Sequence, residues 1–114
     1  MNATARAARQ IVKARSEATR LTASLRRGRS LATHVIAAGV ERADVPGVVN
    51  GLRAVAKRLA VQPVRTVRSP RTINGRDGHG HRCGHYTTAQ VQLIVANYSP
   101  RKPAYRAAVV ALAA

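Results

Sequence analysis

The stretch Ala54-Val-Ala-Lys-Arg-Leu-Ala-Val-Gln-Pro-Val-Arg-Thr-Val-Arg68, followed by Ser69 and Pro70, decides the fold. Up to Leu59 its apolar residues keep helical spacing. From Val61 two prolines and several β-branched residues replace that pattern. Residues 61–70 read either as a short helix opening at Pro63 or as an extended strand. Just beyond lie Asn74-Gly75, Asp77-Gly78, Gly80 and Gly84, a dense group of turn signals. Residues 64–86 are therefore expected to hold at least one hairpin with a basic tip.

Upstream and downstream the pattern is helical. Ile11, Ala14, Ala18, Leu21 and Leu25 recur at three- and four-residue spacing, which predicts a helix over 4–27 with a narrow apolar seam. Ser30 is a candidate N-cap for a short helix with Leu31, Val35 and Ile36 on one face and Gly39 at its end. His34 on that helix reads as a surface or half-buried residue rather than a ligand. Asp44 would cap a third helix with Pro46 in its first turn and Val48, Val49, Leu52, Val55, Ala56 and Leu59 as its buried stripe. Thr87 and Gln90 form a capping-box signature ahead of Val91, Ile94, Val95 and Tyr98. Ser99-Pro100 would open a last helix whose Tyr105, Val109 and Leu112 face inward. The expected fold is mainly α with a short β-hairpin. It comprises a basic N-terminal helical arm, 1–29, and a small helical domain, 30–114, carrying the hairpin at 64–86.

Composition narrows the function. Among 114 residues, 20 Lys and Arg oppose 4 Asp and Glu, for a formal charge of +16. Seventeen of the basic residues are Arg and three are Lys. Arg presents a planar fork that suits phosphates and guanine edges, where Lys is a point charge. Charge concentrates in residues 1–30 (+7) and 63–86 (+4), against +2 in 31–62 and +3 in 87–114. A chain this basic needs counter-charge, and nucleic acid is the commonest source. The scarcity of carboxylates argues against acid–base catalysis, and the absence of Phe and Trp argues against an aromatic-lined pocket. No apolar run approaches the roughly 20 residues of a membrane span. The single Cys83 cannot form an intramolecular disulfide, in keeping with a reducing cytosol. A cytoplasmic, nucleoid-associated protein with no membrane partner and no cofactor is expected.

Residues 54–68 can also be laid out as a helix-turn-helix, and the order of parts resembles the winged helix-turn-helix of the MerR and excisionase type. The resemblance covers about residues 54–95. Leu59-Ala-Val-Gln-Pro63 would be the turn into the second helix and Gly75–Gly84 the basic wing. Tyr86-Thr87, with Ala89-Gln90-Val91, would open the following helix. Ala60 stands where glycine usually makes the turn, Val67 falls one residue late, and Pro70 cuts the second helix short. The resemblance implies that Arg65, Thr66 and Arg68 face the major groove, with Lys57 and Arg58 in the same basic stretch. The strand reading sets Arg65 and Arg68 along a basic ribbon instead. Both readings place the same arginines against a phosphate backbone, and Arg65, Arg68, Arg71 and Arg76 would supply groove contacts and any sequence preference. Arg6, Arg9, Lys13, Arg15, Arg26, Arg27 and Arg29 would supply phosphate contacts.

The run His79-Gly-His81-Arg-Cys83-Gly-His85 has zinc-ligand chemistry but poor spacing, because on a strand these residues span about 20 Å. No metal site is expected, and a Cys83–His85 nucleophile pair lacks an orienting acid other than Asp77. The expected activity is sequence-dependent binding of double-stranded DNA without catalysis. It suits a transcriptional regulator or recombination accessory factor of a bacterial mobile element or phage, with a homodimer through the N-terminal helix open to it. The alternatives are an RNA-binding, ribosome-associated component and a protein that packs DNA without reading it.

Overall fold

The computed structural model describes the backbone of residues 3–73 and 76–114, and among them the side chains of 3–68 and 82–114. In chain order the elements are α1 (Ala3–Arg27), β1 (Arg29–Ser30), α2 (Leu31–Ala37), α3 (Val45–Arg58), β2 (Arg65–Ile73), β3 (Arg76–Tyr86), α4 (Thr88–Ala96) and α5 (Pro103–Ala113). The three strands form one antiparallel sheet in the order β1-β3-β2. The fold is mainly α with a short hairpin, as the patterning implies.

Helices α2 to α5 enclose an aliphatic core, with Leu52, Ile94, Val35 and Val48 as its largest fully buried side chains. Each such side chain contributes about 1.5–3 kcal/mol by leaving water. Helix α3 is the largest single contributor to this core, through Val45, Val48, Val49, Leu52, Val55 and Ala56. Its glycines, Gly47 and Gly51, lie against the phenol ends of Tyr105 and Tyr98, where a Cβ would collide with either hydroxyl. The two tyrosines therefore anchor the core. Ile36, expected on the buried face of α2, is 63% exposed, because the 7-residue helix turns only Leu31, His34 and Val35 inward.

The end of α3 settles the ambiguous stretch. Ala60 adopts φ +57°, its N–H donates to the Lys57 carbonyl at 3.2 Å, and the Val61 N–H donates to the Ala56 carbonyl at 2.9 Å. This is a Schellman stop with alanine in the left-handed position that favours glycine. After Pro63, the Val64 N–H donates to the His85 carbonyl at 2.9 Å and commits the chain to the sheet. The helix-turn-helix expected over 54–68 is thus not formed, and Arg65–Ile73 is a strand. Its pairing with β3 runs from Arg65 opposite His85 to Ile73 opposite Arg76, with a register shift between Ser69 and Arg71. Pro70, which has no N–H to give the ladder, sits at that shift.

Other boundaries follow from caps. Thr33 N–H donates to Ser30 Oγ at 3.2 Å. The Thr87–Gln90 box closes with both bonds, at 3.0 and 3.2 Å. Asp44 holds the N-cap position of α3 without a side-chain bond. The last helix opens at Pro103 rather than Ser99-Pro100, since Pro103 brings the helical φ to the first turn. Helix α1 matches the helix expected over 4–27 and buries no residue of its own. It stops at Gly28, whose φ is +122° and whose missing Cβ would lie 2.9 Å from Val64 Cγ2. His34 is buried rather than superficial, and its Nε2–H donates to the Tyr86 carbonyl at 2.7 Å.

Candidate nucleic-acid interface

With one face of α3 in the core and a second under the tyrosines, the face that remains carries Pro46, Asn50, Arg53, Ala54 and Lys57, all exposed. Asn50, Arg53 and Lys57 follow helical spacing, so their side chains form one polar ridge. Sequence reasoning misses Asn50 and Arg53. Their only signal is as the polar complement of the apolar stripe, and the motif-like stretch from Ala54 onward points downstream of them. Lys57 belongs to both readings.

The hairpin brings further cations beside this ridge. Arg68 and Arg82 are directly opposed on β2 and β3, and both are exposed. Alternation sets Thr66 on the same face as Arg68. Arg82 and Arg53 line one cleft of about 430 Å³ together with Ser30, Leu31, Ala32, Cys83, Gly84 and Tyr86. Among the described residues no carboxylate lines it. Glu41 and Asp44, the acids nearest α3 in sequence, line a different groove with Ala104, Ala107 and Ala111 of α5. Like charges facing each other across a ladder repel, so the Arg68–Arg82 pair is a place where negative charge is wanted.

Several of the expected contact arginines bond within the molecule: Arg29 donates to Ser24 Oγ at 3.4 Å, and Arg65 and Arg58 cap helix ends. Arg65 donates from Nη1 to the Gly28 carbonyl at 2.9 Å and from Nη2 to the Arg27 carbonyl at 2.8 Å. It caps the C-terminal end of α1, where orphan carbonyls and the helix dipole favour a cation. Arg58 donates to the Asn97 carbonyl at 2.9 Å, doing the same for α4. Arg6, Arg9, Lys13, Arg15, Arg26 and Arg27 are exposed along α1, and Arg29 is exposed on β1. Arg71 and Arg76 belong to the strands by backbone, and their side chains lie outside the described residues.

The junction of α1, β1 and the hairpin is electropositive. Burial lowers the His34 pKa below the usual imidazole value, and Arg29 lowers it further against the opposing hydrogen bond to Tyr86. His85 is lowered by desolvation and by Arg65 and Arg29. Strand β3 continues through Cys83 and His85 in regular register, so the tight loop needed to gather zinc ligands is not formed there. His79 and His81 have side chains outside the described residues. Among the described residues no three His, Cys, Asp or Glu side chains converge on a metal position, and no helix is long and apolar enough to cross a membrane.

Compared with protein-family models, with curated proteins and with solved structures, the chain matches none.

Proposed function

We propose that this chain binds duplex DNA in a sequence-dependent way, without catalysis, as a winged helix-turn-helix displaced from the segment its sequence suggests. In this reading α2 and α3 are the helix-turn-helix, α3 is the recognition helix, and β2–β3 is the wing. The observation that carries it is the Asn50–Arg53–Lys57 ridge, which shares a cleft with the Arg68–Arg82 pair through Arg53 and Arg82. A recognition helix inserts its polar face into the major groove. Asn reads adenine and Arg reads guanine through paired hydrogen bonds, while hairpin arginines neutralise the flanking phosphates. The exposed cations of α1 add affinity without sequence information. Such an activity suits a transcriptional regulator or recombination accessory factor.

The test is a salt titration of the purified chain against a labelled random duplex, competed with structured RNA. Duplex binding that weakens steeply with salt and resists RNA competition supports the reading. Preferential capture by RNA would move the chain to an RNA-binding role and contradict it.

A further inference from the structure

Helix α1 carries a seam that its own chain leaves uncovered. Ala7, Ile11, Ala14, Ala18, Leu21 and Leu25 alternate spacings of four and three residues, the a/d pattern of a two-stranded coiled coil. Of these, Leu25 reaches the body, where it lines a cleft with His34, Val91 and Leu112. Ile11 is 52% exposed and Leu21 is 43% exposed, and the alanines between them are exposed as well.

The cations of α1 avoid this seam. With Ile11 at a and Ala14 at d, Arg6, Lys13, Arg20 and Arg27 all fall at c, Arg9 at f and Arg26 at b, on the far side of the helix. The flanking e and g positions hold Ala8, Gln10, Arg15, Glu17, Thr22 and Ser24, with one charge of each sign. In a parallel pair, g positions meet e positions of the next heptad. Gln10 then faces Arg15 and Glu17 faces Thr22, so no like charges oppose each other. A phosphate backbone would seek the basic c and f side and leave the apolar seam bare. We propose that the occupant of this seam is α1 of a second copy of the chain, paired in parallel. The small side chains at 7, 14 and 18 let the two backbones approach closely. The proposal does not depend on DNA binding, since it is read without nucleic acid.

Sedimentation equilibrium of the full chain over a concentration series, in high salt, tests it. High salt dissolves complexes bridged by nucleic acid and screens the outward cations, so true pairing persists or strengthens. The expected mass rises to twice that of the chain. The double substitution Ile11→Glu and Leu21→Glu returns it to one chain while amides of the α2–α5 core keep their hydrogen-exchange protection, because both side chains lie outside that core. In a Cys83→Ser background, Ala14→Cys forms an interchain disulfide under mild oxidation and Lys13→Cys, one position off the seam, does not. A monomer throughout the series, or a dimer that survives the double substitution, overturns the proposal. Equal cross-linking at positions 13 and 14 overturns it as well.

Discussion

Arg68 and Arg82 stand directly opposite each other across the β2–β3 ladder, with both side chains exposed. Among the described residues no carboxylate lines the cleft that Arg82 shares with Arg53. Opposed like charges in a sheet cost a few tenths to about 1 kcal/mol. Placing two arginines there favours a partner that brings negative charge.

Replacing either arginine therefore separates binding from folding. Arg68→Ala or Arg82→Ala should weaken binding to every duplex alike. The slope of log affinity against log salt should fall by about 1 for each phosphate that is no longer neutralised. Thermal stability should hold or rise slightly as the repulsion is relieved. Binding titrations at several salt concentrations, paired with melting curves, check both parts.

The α3 ridge should behave differently. If α3 reads DNA as proposed, Asn50→Ala and Arg53→Ala remove direct base contacts, each worth about 1–3 kcal/mol of discrimination at one base pair. Their loss should level the ratio between a selected duplex and random DNA while leaving residual binding intact. Competition titrations with the two duplexes measure that ratio.

Arg65 belongs to the scaffold. Arg65→Ala leaves the Arg27 and Gly28 carbonyls without their guanidinium donor and should cost about 1–2 kcal/mol. Faster hydrogen exchange confined to the last turn of α1 and the first residues of β2 is the expected signature.

Ala60→Gly should stabilise the chain by about 0.5–1 kcal/mol, because φ +57° is free for glycine and strained for alanine. Denaturant unfolding of the two chains gives the difference directly.

His34 makes folding sensitive to acid. Its folded-state pKa lies below the unfolded value of 6.5, chiefly through burial, so the unfolded chain takes up the proton first. The stabilisation is complete above that value and is lost as pH falls toward the lowered folded-state pKa. His85 adds in the same direction. Melting temperature should fall between about pH 7.5 and pH 5, and His34→Gln should flatten that dependence whatever its effect at neutral pH.

How far the sequence carries can be judged at particular residues. The Thr87–Gln90 box, the Ser30 cap and the stripe from Val48 to Ala56 are legible because each depends on local spacing. The end of α3 is not. Leu59-Ala-Val-Gln-Pro63 has the composition of a turn between helices. What makes it a stop before a strand is the left-handed Ala60 and the bond from Val64 to the His85 carbonyl, which joins residues far apart in the chain. The two-residue strand β1 carries no periodicity at all and exists only through its pairing with β3. The arginines are legible as a class, but their division of labour is not. Arg58 and Arg65 look like Arg68 in the sequence, and only the positions of the α1 and α4 ends assign them to capping.

The most direct measurement is selection from a random duplex pool by the full chain, sequenced before and after binding, with the Asn50→Ala, Arg53→Ala double substitution run beside it. The account predicts an enriched motif for the natural chain and the loss of that enrichment in the variant, with salt-sensitive binding retained. Equal, unenriched recovery of all duplexes by both chains would contradict α3 as the reader of sequence.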